Sequence, residues 1–425
     1  MLSVSLLILR ILQNWIEGTS SRIYFYLQIY IIIIICQSPE RKRYFSALTY
    51  LLQITRKLNR STWQPVNLAN ETRRQQQLAL QVVFRHGQRT PADTYPNDVY
   101  INHTFAPFGL GQLTNIGKKF QYDTGVFLRN RFDKFLGPLY SSGKVFAQST
   151  QPDRAQISCM LTVAGMWPPK GTELDWNPNI NWNPVTVKFE ALDQDTLLLA
   201  RKDCPRYYEA RDKVFQSPEV LQIFKDNDVL LKQLTEITGM KIENPDDVQS
   251  LYSTLKAEEG FGLVLPKWTD DYYPHKLEPL TETSFILNAY NSELQKLKGG
   301  PLVKKLISDW SAKAANKLTP PERKIFVYSG HDSTVSNLLL ALGSWDKQVP
   351  NYGIMVIFEL YEDLKTNEFG VEYVGVSGVT DVLIHPSHCG ARQCLKNVFL
   401  PCQAVVGQTH PPPKPGQISP KRSEK

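Results

Sequence analysis

Leu78-Ala-Leu-Gln-Val-Val-Phe-Arg-His-Gly-Gln-Arg-Thr-Pro91 decides how the rest of this 425-residue chain is read. Leu78 to Phe84 is apolar and β-prone, the pattern of a buried strand, and it runs straight into Arg85-His86-Gly87. Two guanidiniums flanking a histidine at the mouth of such a strand are costly unless an anion meets them. Their planar forks of donors match phosphate oxygens. Gly87 permits close backbone approach, and Pro91 stiffens the exit from the loop.

Two further segments have the same strand, polar loop, helix sequence. Gly143 to Ala147 precedes Ser149-Thr-Gln-Pro-Asp-Arg154, and Lys324 to Tyr328 precedes Ser329-Gly-His-Asp332. The helices that follow show apolar positions at i, i+3, i+4 and i+7: Ile157, Met160, Leu161 and Ala164 in one, Val335, Leu338, Leu339 and Leu342 in the other. Cys159 reads as a small core residue on the first of them. Repeated units of this kind predict an α/β sheet whose ligand lies where parallel strands end and helices begin. Between residues 175 and 282 the texture changes to Trp, Pro and Asn loops and then to helical stretches such as Pro218 to Thr238 and Pro245 to Glu259. That region reads as an inserted, smaller, mainly helical domain.

The α/β body is thus expected from residues 76–174 and 283–402, with a leader or disordered segment at 1–75 and a disordered Pro-rich tail at 403–425. The net charge of +7 does not belong to the body. Residues 1–75 hold ten basic and three acidic side chains and residues 411–425 four and one, which leaves 34 against 37 between them. A near-neutral body argues against a nucleic-acid partner. Ile23 to Cys36 is an apolar run of 14 residues, short for a membrane span of about 20 but suited to a signal-peptide core. Arg41, Lys42 and Arg43 follow it and would favour a cytosolic body if it stayed as an anchor, so amino-terminal membrane association stays open. Asn59, Asn70 and Asn102 each begin a glycosylation triplet. Cys204, Cys389, Cys394 and Cys402 form an even set able to make two bridges; His385 and His388 beside Cys389 make zinc the competing reading. His103, His275 and His410 belong to no motif and read as surface or loop histidines.

The spacing Arg85-His86-Gly87-x-Arg89-x-Pro91 is similar to the signature of the histidine acid phosphatases. Ser149 to Arg154 resembles that family's second arginine motif, Gly330-His331-Asp332 its His-Asp motif, and Leu113-Thr-Asn-Ile-Gly117 the start of its first helix. The resemblance spans about residues 76–402. It implies a central mixed sheet flanked by helices, as in phosphoglycerate mutases, with the inserted helical domain. It implies hydrolysis of small phosphate monoesters at acid pH, with no cofactor and no metal, in a secreted or lysosomal setting. His86 would be the nucleophile that becomes phosphohistidine and Asp332 the acid that protonates the leaving alcohol; Arg85, Arg89, Arg154 and His331 would bind phosphate oxygens. Cys389 with Cys394, and Cys204 with Cys402, would be its short and long bridges. Gln88 stands where relatives commonly carry an acid, and Ala147-Gln148 lacks a basic residue often found there, which bears on substrate preference. A phytase, a lysophosphatidate-type phosphatase and an inert secreted phosphate-binding protein are the alternatives, and homodimerisation is open.

Overall fold

The computed structural model describes residues 75–376. The apolar run 23–36, Asn59, Asn70, His385, His388, Cys389, Cys394, Cys402, His410 and the tail lie outside the described residues.

The decisive stretch forms β1 (Gln75–Arg85), and its last seven residues are buried. α1 (Asn115–Leu136) follows after a loop, and Thr114 caps it by accepting from Gly117 N at 3.1 Å. β2 (Val145–Ser149) and α2 (Asp153–Met166) come next, then the two-residue β3 (Lys188–Phe189). A helical run occupies the middle of the chain: α3 (Pro205–Phe215), α4 (Pro218–Asp226), α5 (Asp228–Thr238), α6 (Pro245–Phe261), α7 (Glu278–Asn288), α8 (Ser292–Lys298) and α9 (Gly300–Ala314). β4 (Ile325–Gly330), α10 (Asp332–Ala341) and the hairpin β5 (Met355–Asp363) and β6 (Phe369–Val376) complete it. The stretch expected as one helix from Pro218 to Thr238 breaks at Asn227, the carboxy-terminal cap of α4. Among the described residues no helix is long and apolar enough to cross a membrane.

The six strands lie in the order β3-β2-β4-β1-β5-β6. β1 and β2 flank β4 in parallel, whereas β5 runs antiparallel to β1, so the sheet is mixed. Period-two alternation divides the core. Leu80, Val82, Phe84, Ile325 and Val327 face α1 and α2 with Leu128, Cys159 and Val163. Val83, Phe326 and Tyr328 face the other side with Leu306, Val335, Leu338 and Leu339.

The face of α2 differs from the one expected. Of the four expected positions only Ala164 is fully buried, Ile157, Met160 and Leu161 being half-buried; the other buried positions are Ala155, Ser158, Cys159, Thr162, Val163, Gly165 and Met166. Small residues are selected there because α1 and α2 cross in backbone contact. A Cβ on Gly125 would meet Gly165 Cα at 2.9 Å and run into the Thr162 carbonyl. Thr162 Oγ1 then reaches the Gln121 carbonyl at 3.2 Å, and Gln121 Nε2 donates to the Arg85 carbonyl at 3.3 Å. The helix pair therefore grips the end of β1 directly.

Candidate active site

β1, β4 and β2 end side by side: Arg85 pairs with Gly330, and Ser149 with Ser329. The next residues of each strand enter one space, which is where ligands bind in open α/β sheets. From β1 come Arg85, His86 and Arg89; Arg154 sits in the first turn of α2, His331 caps α10 and Asp332 opens it. All six expected site residues are brought together, and among them only Asp332 is acidic.

His86 is 2% exposed. Its Nδ1 lies 2.7 Å from the Gly87 carbonyl, and a carbonyl oxygen only accepts, so Nδ1 carries the proton and Nε2 keeps its lone pair. Arg154 Nε donates to that lone pair at 3.2 Å. The loop around His86 is held by main chain. His86 N donates to the Gly330 carbonyl at 3.0 Å, and the His86 carbonyl accepts from Gly353 N at 3.2 Å. Gly87 N donates to Ser158 Oγ at 3.2 Å. A Cβ on Gly87 would stand 2.6 Å from the Gly117 carbonyl, so only glycine lets this loop sit on the start of α1.

Arg85 Nη2 pairs with Asp332 Oδ2 at 3.0 Å, while Nη1 donates to the Pro350 carbonyl and the guanidinium lies 4.3 Å from the centroid of the Tyr352 ring. Arg85 Nε is buried with no partner, a donor suited to an incoming anion. Arg89 Nη1 donates to the Thr90 carbonyl at 2.9 Å, and Arg154 Nη1 to the Gly111 carbonyl at 3.3 Å. The His331 ring meets that of His86 edge-on at 5.1 Å, and its Nε2 is 2.9 Å from Thr150 Oγ1.

Burial, His331 and the three arginines hold His86 well below the ordinary histidine pKa, burial first. Burial and Arg154 push His331 down to about 3, against the opposing pull of Asp332. Asp332 is lowered: burial would raise it, but Arg85, His331 and the Ser333 amide outweigh that. Burial also brings Arg154 down to about 10, leaving it a cation at any acid pH. The free site is thus two neutral imidazoles, three guanidiniums and one carboxylate, a net positive pocket suited to an anionic phosphate ester.

Three contributors were not singled out from the sequence. Tyr352 and the Pro350 carbonyl precede β5, and the sequence reading looked for strands that end at the site, whereas antiparallel β5 begins there. The apolar run after Gly353 was the available signal. Lys256 on α6, whose Nζ donates to Asn351 Oδ1 at 3.1 Å, had none, because its neighbours are far away in the chain. Gln88 Nε2 donates to the Gly260 carbonyl on α6, so the variable motif position ties the loop of His86 and Arg89 to the helical region. Of the other expected residues, Cys204 caps α3, with its expected partner Cys402 outside the described residues, and Asn102 and His103 are exposed between β1 and α1.

The profile of the histidine phosphatase superfamily (branch 2) matches residues 78–376. A venom acid phosphatase of Apis mellifera is 36% identical over 70% of this chain and 76% of its own. Prostatic acid phosphatase of Rattus norvegicus is 35% identical over 66% and 74%, and lysosomal acid phosphatase of Homo sapiens 33% over 68% of each. Among solved structures, the Hafnia alvei phytase bound to tartrate superposes with a TM-score of 0.53 at 17% identity, covering 71% of this chain and 85% of that one, a likeness of fold.

Proposed function

Because the chain belongs to branch 2 of the histidine phosphatase superfamily, we propose that it is an acid phosphatase that hydrolyses small phosphate monoesters through a phosphohistidine on His86. The observation that carries the reading is the Nδ1 contact of His86 with the Gly87 carbonyl, which leaves Nε2 as a free base inside a ring of cations. Arg85, Arg89, Arg154 and His331 bind the phosphoryl oxygens and stabilise the charge that spreads over them in the transition state.

In the first step Nε2 of His86 bonds to phosphorus, the ester P–O bond breaks, and Asp332 gives its proton to the departing alcohol oxygen. Asp332 is an anion in the free site, so the proton arrives with the substrate. A phosphate monoester loses its second proton at about pH 6, so below that it binds as a monoanion and its charge competes for Arg85. Asp332, released from its ion pair, takes the proton. In the second step Asp332 accepts a proton from water as the water oxygen attacks phosphorus, and the P–N bond returns its electrons to His86. The expected result is a rate that falls as pH rises past about 6, where the substrate no longer brings a proton.

We read the helices between residues 175 and 282 as an inserted cap over the α/β body. Support comes from Leu231, Leu234, Leu251 and Leu255, which pack in a cluster separate from those facing the sheet. The names of the venom, prostatic and lysosomal relatives support a secreted or lysosomal setting. The test of function is direct. The full chain, made in a disulfide-competent host, is mixed with a ³²P-labelled aryl phosphate near pH 5 and quenched. Acid-labile label on wild type, absent from His86→Ala together with turnover, is the expected result; folded protein with neither label nor turnover would overturn it.

A further inference from the structure

Lys256 stands on α6 within electrostatic reach of Arg85 and Asp332. It projects from α6, half-buried, with its Nζ 3.1 Å from Asn351 Oδ1 and 5.6 Å from the centroid of the Tyr252 ring. Asn351 immediately precedes Tyr352, whose ring covers Arg85, so the ammonium is steadied by the same turn that orients a phosphate-binding guanidinium. Among the described residues no carboxylate forms an ion pair with it. Asp332, Glu259 and Glu278 act on it only at longer range, while burial and the Arg85 charge lower its pKa. A partly desolvated cation beside another cation, with a neutral amide as its hydrogen-bond partner, is unfavourable until an anion joins it.

Its position says which part of a substrate that anion belongs to. The phosphoryl group to be transferred meets Arg85, Arg89, Arg154 and His331. Lys256 lies within electrostatic reach of Asp332, the residue that hands its proton to the leaving oxygen. The alcohol therefore departs on the side of the site that α6 walls. Tyr252 and Tyr273, whose ring centroids are 5.2 Å apart, belong to that wall, and Tyr273 Oη donates to Glu259 at 2.9 Å.

Resting on the phosphomonoesterase reading, we propose that Lys256, steadied by Asn351, is a specificity-determining residue that binds a second anionic group on the leaving alcohol. Substrates with a carboxylate or a further phosphate a few bonds from the ester oxygen are then preferred over neutral ones. The selectivity resides in KM, since the second anion is held equally before and during P–O cleavage.

The test compares phenyl phosphate with 4-carboxyphenyl phosphate on the full chain near pH 5, as kcat/KM for each. A charge-assisted contact of this kind is expected to change their ratio by about tenfold. In Lys256→Met the ratio of carboxylated to plain substrate falls by about that factor, through KM, and Lys256→Arg keeps most of it. Asn351→Ala gives an intermediate loss. If Lys256→Met does not fold, Lys256→Gln replaces it in the same comparison. A ratio that stays put in the folded variant, with wild type still turning over phenyl phosphate, overturns the specificity role and leaves the phosphatase reading standing. A wild type that hydrolyses neither ester overturns both.

Discussion

In the free site the lone pair of His86 is not idle, since Arg154 Nε already points at it from 3.2 Å. Substrate must draw that guanidinium away, and a phosphoryl oxygen does so because a charged acceptor outbids a neutral imidazole for the same donor. On the proposed mechanism, one movement uncovers the nucleophile and binds the electrophile. Asp332 undergoes the complementary change, losing Arg85 to the incoming anion and gaining a proton. Its role is best separated from phosphate binding by the leaving group. Asp332→Asn is expected to lower kcat for an alkyl phosphate by about 10²- to 10⁴-fold and for 4-nitrophenyl phosphate far less, because nitrophenolate leaves without protonation. Steady-state rates on the two esters check this, and equal losses would instead assign Asp332 to binding.

The helix pair α1 and α2 matters to the site as much as any single side chain. Gly125 and Gly165 bring the helices into backbone contact, and Gln121 passes that contact on to the Arg85 carbonyl. Gly125→Ala is expected to cost about 1–3 kcal/mol of stability through overpacking, read as a lower urea midpoint, and to lower kcat by loosening the end of β1. Elements of this kind explain what was legible in the sequence. β1, β2 and β4 could be read because buried strands demand apolar runs, and the six charged or imidazole residues because polar groups at strand ends stand out. The face of α2 is only partly legible: Ala164 and Cys159 are buried as expected, but Ser158, Thr162 and Gly165 are buried for being small, which a hydrophobic period does not register. Tyr352 and Lys256 reach the site through contacts between segments far apart in sequence, and local pattern holds no record of those.

At the scale of the molecule, the helical region and the segment after Arg89 each contribute one of a pair of buried acids. Glu258 on α6 and Asp98 are both buried, and Glu258 Oε1 and Oε2 and Asp98 Oδ2 have no hydrogen-bond partner among the described residues. Burial of Glu258 beside a second carboxylate disfavours its charged form. Burial first, then the Asp98 charge, push Glu258 up to about 8. The folded state thus holds a proton that the unfolded chain releases at its ordinary carboxylate pKa. Stability is fully present below about pH 4.5, falls as pH rises and levels off once Glu258 has ionised near 8. Glu258→Gln removes the titrating group at nearly the same shape, and denaturant titrations from pH 5 to 8 are expected to show a shallower decline than wild type.

The packing of Gly87 on Gly117 also bears on how such a protein can change over generations. Contact there is between main-chain atoms, so no substitution can adjust it by degrees: a Cβ on Gly87 would be only 2.6 Å from the Gly117 carbonyl. Variation at those two glycines is all or nothing, and selection for a new substrate has no gradient to climb along the catalytic loop. Tyr252, Lys256 and Asn351 offer one, being side chains on a wall that can be rebuilt residue by residue. A library randomised at those three positions and screened on new esters should yield altered enzymes that all retain the same nucleophile.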